Sequence, residues 1–155
     1  MADTLSKSER SRVMAAVRST GNKATELTLL KLFREAGIIG WRRHPNLRGN
    51  PDFVFPRQKI AVFVDGCFWH GCPRHCRVPK NNRKYWKAKI ARNMTRDRRT
   101  NRLLRAKGWK IIRIWGHSLS APAKVLKIIS SELRWVAEEY KHSANRNEQH
   151  RKNRR

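Results

Sequence analysis

The sequence predicts an α/β sandwich, a small mixed central sheet flanked by helices, and three observations predict it. At 155 residues the chain is long enough for one domain with its own core and too short for two. Hydrophobic residues make up 39% of it, enough to fill such a core. The apolar positions follow helical spacing in some stretches and strand-like runs in others, in the order α, α, β, β, β, α, β, α.

Taken in order, Ser6 and Glu9 fit a capping box and start a short helix over about Lys7 to Val17. Ser19 to Lys23 reads as a linker. A second helix runs from about Ala24 to Ala36, with Leu29, Leu32, Phe33 and Ala36 at helical spacing and Gly37 placed to end it. Ile38 to Arg43 reads as a strand, and His44 to Pro51 as a loop. Asp52 to Phe55 and Ile60 to Val64 form a hairpin across the turn Pro56 to Lys59. Asp65 to Asn82 has little regular pattern. A long basic helix follows, from about Arg83 to Lys107, closed by Gly108. Trp109 to Trp115 is a strand. Pro122 opens a last helix whose buried stripe is Val125, Ile128, Ile129, Leu133 and Val136. Lys141 to Arg155 is basic and lacks apolar anchors, so residues 141–155 read as a disordered tail.

Charge narrows the function. Lys and Arg number 37 against 11 Asp and Glu, a net +26, and such a chain repels itself unless it meets a polyanion. Nucleic acid is the partner this composition points to. No apolar run is long enough to span a membrane and the start is polar, so the chain is placed in the cytoplasm, at the nucleoid, with no membrane partner.

Because acids are scarce, those that remain are informative. Asp52 follows Pro51 and opens a strand, and Asp65 closes the next one. A hairpin brings these two ends together, where their charges repel unless a cation intervenes. Mg²⁺ suits oxygen ligands of this kind, and it both neutralises a phosphodiester and activates water. By itself the Pro-Asp pair reads more readily as a turn. Glu26 is a further candidate acid, although taken alone it reads as a solvated helix residue.

The three cysteines, Cys67, Cys72 and Cys76, share one short stretch with His70 and His75. Clustered thiols beside imidazoles read as a zinc site rather than as disulfides, with His117 as a remote donor that ties the loop to the sheet. Phe68 and Trp69 lie inside this loop, with Tyr85 and Trp86 at the start of the long helix. Core packing and stacking between base pairs use the same apolar face and are both open at this point. His70 is placed to take a proton from water at neutral pH, and is otherwise a surface histidine.

At these residues the chain resembles the very-short-patch repair (Vsr) endonucleases. The segments carrying the resemblance are Arg48-Gly49-Asn50-Pro51-Asp52-Phe53-Val54, Val64-Asp65-Gly66-Cys67-Phe68-Trp69-His70, Tyr85-Trp86 with Asn93 and Arg96-Asp97-Arg98-Arg99, and Gly108-Trp109 with Ile114-Trp115. They span about Ser6 to Leu133, in order.

The resemblance implies a restriction-endonuclease-like domain over residues 1–140, with a zinc-stapled loop and with residues 1–20 as a DNA-clamping helix carrying Met14. It implies nicking 5′ to the T of a T:G mispair left by 5-methylcytosine deamination, by a monomer on double-stranded DNA. A companion cytosine methyltransferase and a MutL-type partner are implied with it. Asp52 and the Val64 backbone carbonyl would hold Mg²⁺, and Glu26 would reach its waters. His70 would be the general base with Asp97 in support. Phe68, Trp69, Trp86 and Met14 would enter the DNA.

Two positions depart from the family. Asp65 stands where the best-known member has His, and either takes over a phosphate-side role through the metal or marks a site that differs in detail. His117 stands in place of a Cys ligand. The zinc set expected is Cys67, Cys72, Cys76 and His117, with His75 as the alternate.

Overall fold

A computed structural model describes residues 25–134. The expected first helix with Met14, the linker after it and the basic tail lie outside the described residues.

Two helix ends form where the sequence stops its apolar stripe. Helix α1 (Glu26–Glu35) buries Leu29, Leu30 and Phe33. It closes with Gly37 N–H on the Arg34 carbonyl at 3.2 Å and Ile38 N–H on the Phe33 carbonyl at 2.9 Å, the paired bonds that satisfy terminal carbonyls. Helix α2 (Arg83–Ala106) ends in the same way, through Gly108 to Arg105 at 2.9 Å and Trp109 to Leu104 at 3.0 Å. A third helix, α3, covers 122–134.

The strands are β1 (Arg42–Arg43), β2 (Phe53–Phe55), β3 (Ile60–Asp65) and β4 (Lys110–Trp115). They form one sheet in the order β1-β2-β3-β4. The first two pairings are antiparallel, and β3 pairs with β4 in parallel, from Ile60 opposite Lys110 to Asp65 opposite Trp115. This is the mixed sheet the sequence predicts, with α2 as the crossover between its parallel strands.

Both faces of the sheet are covered, which is why β3 is apolar almost throughout instead of alternating. On one face Ile60, Val62, Ile112 and Ile114 pack with Leu29 and Phe33 of α1 and Val125 and Ile129 of α3. On the other Val54, Ala61 and Phe63 meet Leu104 of α2, with Trp109 and Ile111 at the margin. α1 and α3 thus form one wall of a three-layer sandwich and α2 the other.

The strand expected over Ile38 to Arg43 shrinks to Arg42–Arg43. Its first half folds back on itself, the Trp41 indole N–H donating to the Ile38 carbonyl at 2.8 Å. The Trp41 ring then packs edge-on to Phe53, with centroids 5.8 Å apart.

The loop before β2 presses on α2 at Gly49. Its φ is +89°, and a Cβ there would stand 2.1 Å from the Thr100 methyl. Gly49→Ala adds both backbone strain and a collision with a buried side chain, so it should destabilise the fold by roughly 2–4 kcal/mol. Urea unfolding measures this, and an unchanged midpoint would show that the loop does not seat against the helix as described.

Candidate functional site

Four carboxylates gather where β2 begins and β3 ends. Antiparallel pairing of Phe53 with Val62 sets Asp52 alongside the last residues of β3. There the Asp52 Oδ2 accepts the Val64 N–H at 2.7 Å. Burial pushes the Asp52 carboxyl up to about 6, and the charges of Glu26 and Asp65 add to the rise, against the Val64 amide and His44. Among the described residues Asp52 forms no ion pair. A buried carboxylate of this kind, beside further acids, fits a hard divalent cation.

Glu26 is 2% exposed, so the solvated reading of it is overturned. It opens α1, and its Oε1 receives Arg43 Nε at 2.9 Å, a second Arg43 nitrogen, and His44 Nε2 at 2.8 Å.

Asp65 is buried too, and both its oxygens are already engaged. Arg113 of β4 grips both its oxygens, Nε to Oδ2 at 2.6 Å and Nη2 to Oδ1 at 2.7 Å. The cation predicted between the strand ends is therefore, for Asp65, a guanidinium from the neighbouring strand. Arg113 also lies 3.2 Å from Asp97 Oδ1. Burial works against its charge, yet these two carboxylates hold its pKa above the usual arginine value.

His70 and Asp97 meet as expected, with Nδ1 2.6 Å from Asp97 Oδ2. Asp65 Oδ1 stands 3.6 Å from the same nitrogen. Burial alone would raise Asp97, but the His70 hydrogen bond and the Arg113 charge hold it below the usual carboxylate range. Asp97 is therefore a charged acceptor. It orients the ring and leaves Nε2 free to act as a base.

The zinc candidates converge with one change. Cys67, Cys72, His75 and His117 place their donor atoms within 4.8 Å of one another. The Cys67–His117, Cys72–His117 and Cys72–His75 separations are 3.1, 3.7 and 3.7 Å. A tetrahedral zinc with these ligands has edges of roughly 3.3–3.8 Å; two of these separations fall in that range and Cys67–His117 is slightly short of it, so the donor set suits such an ion. Loss of solvent, with His75 and Arg74 nearby, lowers the His117 pKa and favours the neutral imidazole a ligand needs.

Cys76, expected in the set, is replaced by His75. A turn bonds Cys76 N–H to the Cys72 carbonyl at 3.0 Å and aims its thiol at the Phe68 carbonyl, 3.5 Å away. Burial, with Cys72 and Cys67 beside it, pushes this thiol up and keeps it protonated.

The rings form a cluster outside both hydrophobic cores. Phe68 lies 5.0 Å from Trp69 and 5.5 Å from Trp86, and Lys89 Nζ caps the Trp69 ring at 5.3 Å. All three rings are half-buried, so the core-packing alternative does not hold for them. Asn93 of α2 pins their loop by donating to the Trp69 carbonyl at 3.0 Å.

Arg43, His44 and Arg113 escaped the sequence reading. The signal for Arg113 was present, since it is a cation interrupting the apolar run Ile111-Ile112-Arg113-Ile114-Trp115.

Comparison with known proteins points to one family. The family model described as DNA mismatch endonuclease Vsr matches residues 2–77. Type II nicking enzyme V.NaeI of Lentzea aerocolonigenes is 44% identical over 112 residues, covering 70% of this chain and 68% of that protein. Type II nicking enzyme V.HpaIIP of Haemophilus parainfluenzae is 40% identical over 118 residues, 74% of this chain and 82% of the relative. DNA mismatch endonuclease Vsr of Escherichia coli (strain K12) is 34% identical over 128 residues, 81% of this chain and 80% of the relative.

Two outcomes test the site. The folded Asp52 carboxyl near 6 exceeds its ordinary 3.8, so its stabilising protonation is complete below pH 3.8 and lost as pH rises through 6. Above that, ionised Asp52 costs up to about 3 kcal/mol. Without added divalent ions, Asp52→Asn should therefore be the more stable protein at pH 7.5 by about 1–3 kcal/mol, and the gap should close near pH 4. Thermal melts across pH measure it, and a variant less stable at pH 7.5 would refute the buried-charge reading. For the quartet, Cys76→Ala should keep one tightly bound metal per chain by native mass spectrometry and His75→Ala should lose it. The opposite pattern would restore Cys76 as a ligand.

Proposed function

The chain belongs to the Vsr family of DNA mismatch endonucleases, and from that membership we propose that it nicks one strand of duplex DNA 5′ to the T of a T:G mispair. The observation that carries the mechanism is the placement of His70, oriented by Asp97 at 2.6 Å, beside Asp65, whose charge in turn acts on Asp52.

The work divides among a few residues. The basic surface docks on phosphates, so affinity falls steeply with salt. Phe68, Trp69 and Trp86 present apolar edges that enter the stack beside the mispair, where unstacking costs least. Asp52 and the Val64 carbonyl are the residues that would hold magnesium, with Glu26 facing its waters. Bound there, the ion supplies charge neutralisation at the phosphate and a more acidic water. His70 takes the proton of the attacking water at Nε2 while Nδ1 stays on Asp97. Arg43 and His44 hold Glu26 in place. Cys67, Cys72, His75 and His117, which would bind zinc, stiffen the loop that carries both the base and the wedge.

A nicking assay on T:G and matched C:G duplexes with Mg²⁺ tests this reading. The T:G strand should be cut and the matched duplex spared. Asp52→Asn should abolish nicking while leaving binding intact, and His70→Ala should slow it by about 10²–10⁴-fold. Equal rates on both duplexes would make the protein a nickase of ordinary DNA. Undiminished nicking by Asp52→Asn would remove that residue from the reaction.

A further inference from the structure

We propose that Arg113 is a positioning residue for the nicking reaction, the fixed point that selects Asp97 rather than Asp65 as the partner of His70 and so sets the direction of the general base. The inference rests on the function proposed above and adds a residue to it.

His70 sits in a loop without regular structure, so its ring direction must be fixed by side chains. Two carboxylates compete for its Nδ1, Asp97 at 2.6 Å and Asp65 at 3.6 Å. They approach from different elements, Asp97 from α2 and Asp65 from the end of β3. A ring shared between them would swing, and its Nε2 would swing with it.

Arg113 resolves the competition. Its Nε and Nη2 take both oxygens of Asp65, at 2.6 and 2.7 Å, which draws that carboxylate toward β4. The same Nη2 reaches Asp97 Oδ1 at 3.2 Å and leaves Oδ2 facing His70. Nη1 donates to Asn101 Oδ1 at 3.1 Å, and the guanidinium face rests on Phe63 at 4.7 Å. The fork thus meets a partner through each of its three nitrogens and on its flat face. A planar, five-donor cation can do this, and a lysine ammonium cannot. Arg113 itself stands on β4, which pairs with β3 along its whole length from Lys110 to Trp115, so the chain from sheet to base is rigid.

Without Arg113, Asp65 and Asp97 repel each other and both turn to His70. A misplacement of about 1 Å in a catalytic group costs on the order of 10²-fold in rate. Arg113→Met should therefore lower kcat about 10²-fold and change KM less than about threefold, with Arg113→Lys recovering only part of the loss.

A double-mutant cycle separates positioning from bulk structure. Arg113→Met combined with Asp97→Asn should be no slower than the slower single variant, because both act through one ring. Losses that multiply would overturn the proposal.

A second readout does not need turnover. In the full-length protein, long-range ¹⁵N–¹H correlation of the imidazoles, with His70 assigned by His70→Gln, should show one Nδ1–H ring in the wild type and a mixture of tautomers in Arg113→Lys. A single, unchanged tautomer in Arg113→Lys would overturn the inference even if nicking were slow. A wild type that fails to nick, with the tautomer change still present, would instead overturn the proposed function and leave the positioning role standing.

Discussion

Negative charge crowded at one end of the sheet is the constraint on which the rest of this structure depends. In a chain of net charge +26, Glu26, Asp52, Asp65 and Asp97 converge in a space that is largely closed to water. Buried carboxylates are tolerated only when cations and hydrogen-bond donors answer them. Arg43 and His44 answer Glu26, and Arg113 answers Asp65 and Asp97. Asp52 has the Val64 amide and the field of His44, and its raised pKa registers the shortfall. Of these four, Asp52 is the under-compensated acid, and it is the one proposed above to hold the metal, which would put the loss of stability where the chemistry is needed.

The cysteine and histidine loop is a second answer to a physical problem. A segment carrying His70 and the rings of Phe68 and Trp69 has almost no core beneath it, since Cys72 is its one fully buried residue. Cross-links must replace packing. Asn93 ties the loop to α2, Asp97 ties His70 to the same helix, and His117 beyond β4 meets Cys67 and Cys72 across the sheet end. Helix α2 is therefore more than a basic surface for phosphates. Its inner face holds Asn93, Asp97 and Asn101 at four-residue spacing, which puts them on one line along the helix and against the site.

Much of this was legible in the chain, though unevenly. Helix ends were marked by Gly37 and Gly108, the hairpin by its turn residues and, among the described residues, the succession of elements α, β, β, β, α, β, α by periodicity, because these signals are local. Asp52, His70 and the Cys-His loop were legible because their residue types are rare or clustered. The exchange of Cys76 for His75 was not, since five donors within reach of four places differ only in where a turn aims each side chain. The burial of Glu26 was missed for a similar reason. A carboxylate at a helix start looks solvated until Arg43 and His44 arrive from a different element.

Sequence by itself determined the fold class, the strongly basic charge, the family and most of the candidate site residues. Local spacing, composition and motif order are properties of the chain alone, and they carry that information. The tertiary structure decided which groups pair. It gave Asp65 to Arg113, Asp97 to His70 and Glu26 to Arg43, and it left Asp52 short of a cation. Those outcomes depend on which strand lies beside β3 and how α2 crosses it, and ion pairing over a few ångströms is fixed only when separate elements have packed.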